Sequence, residues 1–219
     1  MKIDAVLLAK SSMWGNFCTA GIDIHSGMWV RFVSYGDGEP LDDSQMIYVN
    51  DSGSSQPLDL VRVRIAKRLP HMNHTEDCMI ERDAWLKLGR MSIHDVLRVH
   101  EDEEYRQIFG NDREYLTERE MQELRHRYSL ILVKAENLTL NFERNRKGEL
   151  KTRAEFTHHG RDYRYIRVTD PEYEYSSERE GVEREGVKIG DAYLVMSMPV
   201  KPFHGRYYKL VAKILPANQ

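Results

Sequence analysis

Strict two-residue alternation in short runs, bounded by turn residues, constrains this chain more than any other feature. In "VRVRI", Val61, Val63 and Ile65 alternate with Arg62 and Arg64, the period of a strand with one buried face. The runs "TLNFERN" and "ELKTRAEFT" alternate in the same way across the turn "NRKGE", which predicts a hairpin. Further short runs rich in Val, Ile and aromatics stand at "DAVLLA" (Asp4–Ala9), "FCTAGID" (Phe17–Asp23), "GMWVRFVS" (Gly27–Ser34), "LVRVRIA" (Leu60–Ala66), "AYLVMSM" and "RYYKLVAKILP". Each is separated from the next by Gly, Ser, Asp or Pro, the residues that turn a chain.

The middle of the chain changes period. Ser92 with Asp95, and Thr117 with Glu120, are capping-box pairs ahead of apolar residues, so helices are predicted near 92–109 and 117–127. The fold class is therefore mostly β with a helical middle (α+β). It divides into a strand-rich part over 1–70, a helical connecting segment over 71–128 and a second strand-rich part over 129–219. No tandem repeat of fixed period is visible. The polar stretch between Phe32 and Leu60 reads as a loop with little structure of its own, and "EREGVEREGV" as an exposed acidic loop with few groups to bury.

Strand parity sorts side chains into faces. Leu138, Leu140 and Phe142 share one face in the first run of the hairpin, and Leu150, Ala154 and Phe156 in the second. In "GRDYRYIRVTDP" (Gly160–Pro171), Ile166 and Val168 point with them, and Arg164 falls on the inner parity at the strand's start. The opposite face then carries Lys151, Arg153, Arg161 and Arg167 around Tyr163 and Tyr165. Cations pair with phosphate and release counterions, while exposed rings stack on unpaired bases for about 1–3 kcal/mol each. The same residues also suit an ordinary outer strand face, or one covered by a second layer. Strand parity leaves these alternatives open.

Other chemistry is sparse. The 32 basic and 35 acidic residues give a net charge of −3, so anion binding must come from local clustering. "HMNHTEDC" gathers His71, His74, Asp77 and Cys78, but the second closely spaced ligand pair of a structural zinc site is missing, and the segment reads as a polar linker with no metal. Cys18 with Asp23 and His25 has the residue types of a nucleophile, orienter and base; its apolar strand context reads as core packing. Trp14 and Trp29 read either as stacking platforms beside turns or as core. No phosphate-binding glycine loop, HExxH or GxSxG occurs, so neither a catalytic residue nor a cofactor is expected. Two cysteines fit a reducing compartment, and neither a secretory leader nor a membrane-spanning run is visible, so a cytoplasmic protein is expected.

Three segments carry a resemblance: "FCTAGIDIHSGMWVRFVS", "AEFTHHGRDYRYIRVTDP" and "PFHGRYYKLVAKIL". With Cys18, Ala20, Gly21, Gly27, Trp29, Arg31, Tyr163, Thr169-Asp170-Pro171 and Tyr207–Val211 in order, the chain resembles the dual OB-containing domain family of prokaryotic and phage proteins. Phe32 stands where that pattern has a proline. The resemblance implies two OB-like small β-barrels in tandem and a nucleic-acid or nucleotide-binding role, and it adds Arg31 and Lys209 as candidate contacts. The expected function is non-catalytic binding of nucleic acid, single-stranded in preference. The alternatives are a protein-interaction module of a multi-gene, defence-type system, or an enzyme acting on nucleotides or nucleic acid.

Overall fold

The structure is a computed structural model that describes residues 1–13, 16–35, 39–71, 73–100, 105–124, 128–174 and 183–217. Trp14, the acidic run 101–104 and the first half of the acidic duplicate, 178–182, lie outside these residues, and the second half is not the expected loop, since a strand begins at Arg184. The chain forms two compact units, Met1–Glu101 and Asp102–Gln219.

In the first unit, β1 (Lys2–Met13), β2 (Asn16–Asp23), β3 (Trp29–Val33), β4 (Asp59–Arg68) and β5 (Asp77–Ile80) run in the order β1-β2-β3-β5-β4, and a β1–β4 pairing joins the ends. β3 and β5 are parallel and the other neighbours antiparallel. β6 (Leu86–Arg90) adds to the far side of β4. The alternation read in "VRVRI" is the register that buries Val61, Val63 and Ile65 against Ile3, Ala5, Leu7, Val30 and Phe32. The stretch before β4 is not the structureless loop its polarity suggests. Asp42 and Gln45 form a capping box on a 3-10 turn, Asp43–Met46, which drives Leu41, Met46 and Tyr48 into the core. Burying the Tyr48 ring is tolerated because its hydroxyl donates to the buried Asp59 carboxylate at 2.7 Å.

The second unit closes a five-stranded barrel. β8 (Leu130–Arg144), β9 (Leu150–His158), β10 (Arg161–Val168), β11 (Arg184–Ser197) and β13 (Leu210–Pro216) are ordered β10-β13-β11-β8-β9, with β10 parallel to β13. Counted along each unit, the order is first-second-third-fifth-fourth, with third parallel to fifth, in both. The chain thus contains a structural repeat that no sequence period announces, because topology rests on alternation and turns rather than on residue identity. Closure pairs every strand edge of the barrel and buries one continuous core, from Ile131 and Val133 through Ala154, Phe156, Ile166 and Val168 to Val211 and Ile214.

The segment 71–128 is not a helical connector. It supplies β5 and β6 to the first unit, and its helices are short: α1 (Ile93–Val99) belongs to the first unit and α2 (Glu118–Glu123) to the second. Both start at the predicted boxes, Ser92/Asp95 and Thr117/Glu120. A turn at Ile108–Gly110 and β7 (Tyr115–Thr117) lie between them, and β7 pairs with β12 (Arg206–Tyr208) as a small ribbon beside the barrel. Among the described residues, no helix is long and apolar enough to cross a membrane.

Candidate nucleic-acid interface

β8, β9 and β10 lie side by side as the parity argument requires. β9 alternates along its whole length, with Leu150, Thr152, Ala154, Phe156 and His158 buried and Lys151, Arg153, Glu155 and Thr157 half-buried on the outside. Arg153 stands between Asn141 on β8 and Arg167 on β10, so two arginines are paired positions on neighbouring strands. Like charges directly opposite are destabilising, and carboxylates flank them.

The outer row predicted for β10 breaks at one residue. Tyr163 pairs with Phe156 and Ile166 with Ala154, leaving two residues on β10 opposite one on β9, a bulge. Tyr165 takes the left-handed conformation within it (φ 59). One extra residue inverts parity, so Tyr163 points inward with Ile166 and Val168, while Arg164 and Tyr165 turn out. Tyr163 is fully buried and is corrected from a stacking residue to a core residue. Its ring stacks on Phe156 with centroids 5.4 Å apart, and its hydroxyl accepts from the Ile108 N–H at 3.0 Å. Burial pushes the phenol up to about 12. Tyr165 remains on the outside, 57% exposed. Bulge residues with positive φ are usually glycine or asparagine, so a tyrosine there leaves no signal in the sequence.

Each basic residue expected on this face, and Arg164, meets a carboxylate, although Arg161, ahead of the bulge, shares the side of Tyr163 rather than that of Arg167. Lys151 Nζ lies 3.3 Å from Glu149, Arg153 Nε 3.2 Å from Glu143, Arg161 Nη1 2.7 Å from Asp112 and Arg164 Nη2 3.4 Å from Asp162. Arg167 pairs with Glu174, just beyond "TDP" and ahead of the acidic duplicate. Arg153 also donates from Nη1 to the Tyr165 carbonyl at 3.3 Å, which ties the bulge to the guanidinium row. Solvent-exposed pairs are worth about 0–1 kcal/mol each, so the exposed carboxylates lower the positive potential without locking their cations away, whereas Arg167 is held to Glu174 in a largely covered pair.

The two candidates added by the resemblance have structural surroundings. Arg31 makes a bidentate pair with Asp77, Nε to Oδ1 at 2.6 Å and Nη2 to Oδ2 at 2.7 Å, and is largely covered. Lys209 is 1% exposed and donates from Nζ to the carbonyl and the side-chain oxygen of Asn111 at 2.6 and 2.9 Å. Burial drops its ammonium to about 7. Neither reaches outward to a phosphate. The constellation Cys18, Asp23 and His25 does not assemble as a triad. Asp23 accepts from Ser26 Oγ and the His25 N–H in its own turn, the His25 ring lies by Asp4, and burial raises the Cys18 thiol, opposite to what a nucleophile needs. Trp29 is core, edge-on to His100.

A second basic and aromatic group went unread in the sequence. On the β7–β12 ribbon, Tyr115 and Tyr208 are cross-strand partners with ring centroids 5.7 Å apart, and the guanidinium groups of Arg206 and Arg113 lie 4.3 and 5.2 Å from the Tyr115 centroid. Phe203, in the turn leading into β12, is 66% exposed. These residues come from segments 90 positions apart, so only their pairing brings them together.

The resembling segments make up the scaffold of the barrels. A Cβ on Gly21 would sit 2.2 Å from the Val6 carbonyl oxygen, so β1 and β2 approach only through glycine. Asp170 of "TDP" accepts from the Ile214 N–H at 2.9 Å and pairs with Lys213 at 3.1 Å, fastening the end of β10 to β13. Phe32, in the proline position, packs edge-on against Trp85 inside the first ring. Fold and signature together define a protein of two OB-like barrels in one chain. The profile of the dual OB-containing domain matches residues 3–214, and the chain belongs to that family. No curated protein and no solved structure matched the chain.

Proposed function

We propose that this protein binds single-stranded nucleic acid without catalysis, through the outer face of β9 and β10 in its second barrel. The observation that carries the reading is Tyr165, turned out of the strand by a bulge and held beside Arg153 and Arg164. OB barrels take oligonucleotides across their second and third strands and the loops beside them, and β9 and β10 are those strands here. An exposed ring stacks on any base, and guanidinium groups follow the phosphates without reading sequence. Arg146 and Lys147, exposed in the β8–β9 turn, extend the cationic strip at one end. Phosphate would replace carboxylate at Arg164 and Arg153, whose partners Asp162 and Glu143 stand exposed, an exchange made inexpensive by the low worth of exposed pairs, while Arg167 stays with Glu174 in a largely covered pair.

The test is binding of a fluorescent single strand of about 20 nucleotides to the whole protein. Log affinity should fall with log salt by about 0.7 per phosphate engaged. Tyr165→Ala should weaken binding by about 1–3 kcal/mol, roughly 5- to 150-fold, with an unchanged melting temperature. Absence of binding at low salt removes the reading. A protein partner is the second reading, favoured by Phe203 and Val200 standing exposed on one loop of the same unit; a stable co-purifying chain released by Phe203→Ser would support it.

A further inference from the structure

We infer that His74, Glu76 and Asp77 form a binding site for a divalent transition metal of the zinc class at the start of β5. The first unit brings one ligand atom from each of the three within 4.8 Å of the others. Donors around one tetrahedral zinc at about 2.0–2.2 Å stand roughly 3.3–3.6 Å apart, and rotation of the carboxylates covers the difference.

The local chain explains why these residues converge. His71 and His74 exchange backbone hydrogen bonds, each N–H to the other's carbonyl at 3.1 and 2.7 Å, closing a tight turn that sets His74 over the entry to β5. Glu76 is anchored through its carbonyl, which accepts from the Arg31 N–H at 2.9 Å. Asp77 is oriented by the bidentate guanidinium of Arg31, which uses one lone pair on each oxygen and leaves the others for a metal. Arg31 is thus a positioning residue, the outer-shell partner that a ligating carboxylate requires.

Charge and donor type select the ion. His74 and Glu76 are each 1% exposed, so an ion held between them would be shielded from water and drawn more strongly to the carboxylates. An imidazole nitrogen with two carboxylate oxygens suits zinc and its neighbours better than calcium or magnesium, which take all-oxygen sets. Three protein donors leave a position open to water or an anion. The two other residues of the "HMNHTEDC" group do not join: the His71 side chain is exposed, and Cys78 is core, its thiol raised to about 11 by burial. The site lies in the first unit, so it stands or falls independently of the nucleic-acid reading.

The full-length protein, freed of metal, is titrated with Zn²⁺ against a chromophoric chelator and separately with Co²⁺. One equivalent should bind with micromolar or tighter affinity, with visible Co²⁺ d–d absorption. His74→Ala and Glu76→Gln should each weaken binding by more than about 100-fold, and Arg31→Lys by about 10- to 100-fold. The competing account is a purely structural imidazolium on His74 paired with Glu76. Failure of the unaltered protein to bind Zn²⁺ stoichiometrically, with both ring nitrogens of His74 protonated in ¹⁵N NMR, would overturn the proposal without depending on whether any variant folds.

Discussion

Tyr163 and Tyr165 are two residues apart in one strand and have opposite fates. Tyr163→Ala should cost about 3–5 kcal/mol of stability, the range for emptying an aromatic core site, and should also orphan the Ile108 N–H. Chemical denaturation reads this directly, and Tyr165→Ala should leave the midpoint in place. Lys209 makes a different prediction. Its ammonium is depressed to about 7 in the fold and stands near 10.4 in the unfolded chain. Between those values the unfolded chain holds the extra proton, so this residue's contribution to stability rises with pH from about 7 towards 10 and is flat below 7. Lys209→Met removes that contribution. It takes the Lys209 donor from the Asn111 carbonyl, while the Asn111 side-chain oxygen keeps the Arg113 N–H, lowering stability throughout, and the difference in melting temperature between wild type and variant should widen as pH rises from about 7 to 9. A constant difference would contradict the assignment.

Among the elements, the seam between β10 and β13 is the most exacting. Only Arg167↔Leu210 and Val168↔Val211 pair there, and Asp170 extends the closure by accepting from Ile214 and holding Lys213. Asp170→Ala strands the buried Ile214 N–H and leaves Lys213 with Glu172 as its remaining carboxylate, and should cost about 1–3 kcal/mol. Loss of amide protection in β10 and β13 before β8 and β9, by hydrogen exchange, would locate the damage at the seam. The hairpin of β8 and β9 was legible because alternation on both sides of "NRKGE" fixes register, and the helix starts were legible because capping boxes are local. The bulge at Tyr165 was not. A bulge is decided by closure of the barrel, which demands extra twist at a point that no local preference of Arg164-Tyr165 marks. Nor was the core role of Leu41, Met46 and Tyr48, since the polar residues around them hide three isolated apolar anchors.

Across the whole chain, each unit owns its core: every residue of one apolar cluster lies between Ile108 and Ile214, and every residue of the other between Ile3 and Trp85. Fragments 1–101 and 102–219 should therefore each fold alone, with β-type circular dichroism and a cooperative melt. A fragment that stays unfolded would show that one barrel depends on the other. The sequence by itself determined the β class, the hairpin register, the helix caps and the residues that resemble the family, because alternation, turn chemistry and capping act over a few positions. It also placed Lys151, Arg153, Tyr165 and Arg167 on the outer face of the second strand-rich part, whereas Arg161 lies on the side of Tyr163 at the start of β10 and turns to Asp112. Only the tertiary structure decided that Tyr163 and Lys209 are core, that Arg31 serves Asp77, and that His74, Glu76 and Asp77 converge. It alone aligned β7 with β12 to gather Tyr115, Tyr208 and Arg206. Those outcomes depend on ring closure and on contacts between distant segments, where one inserted residue reverses a face and a buried partner outweighs local pattern.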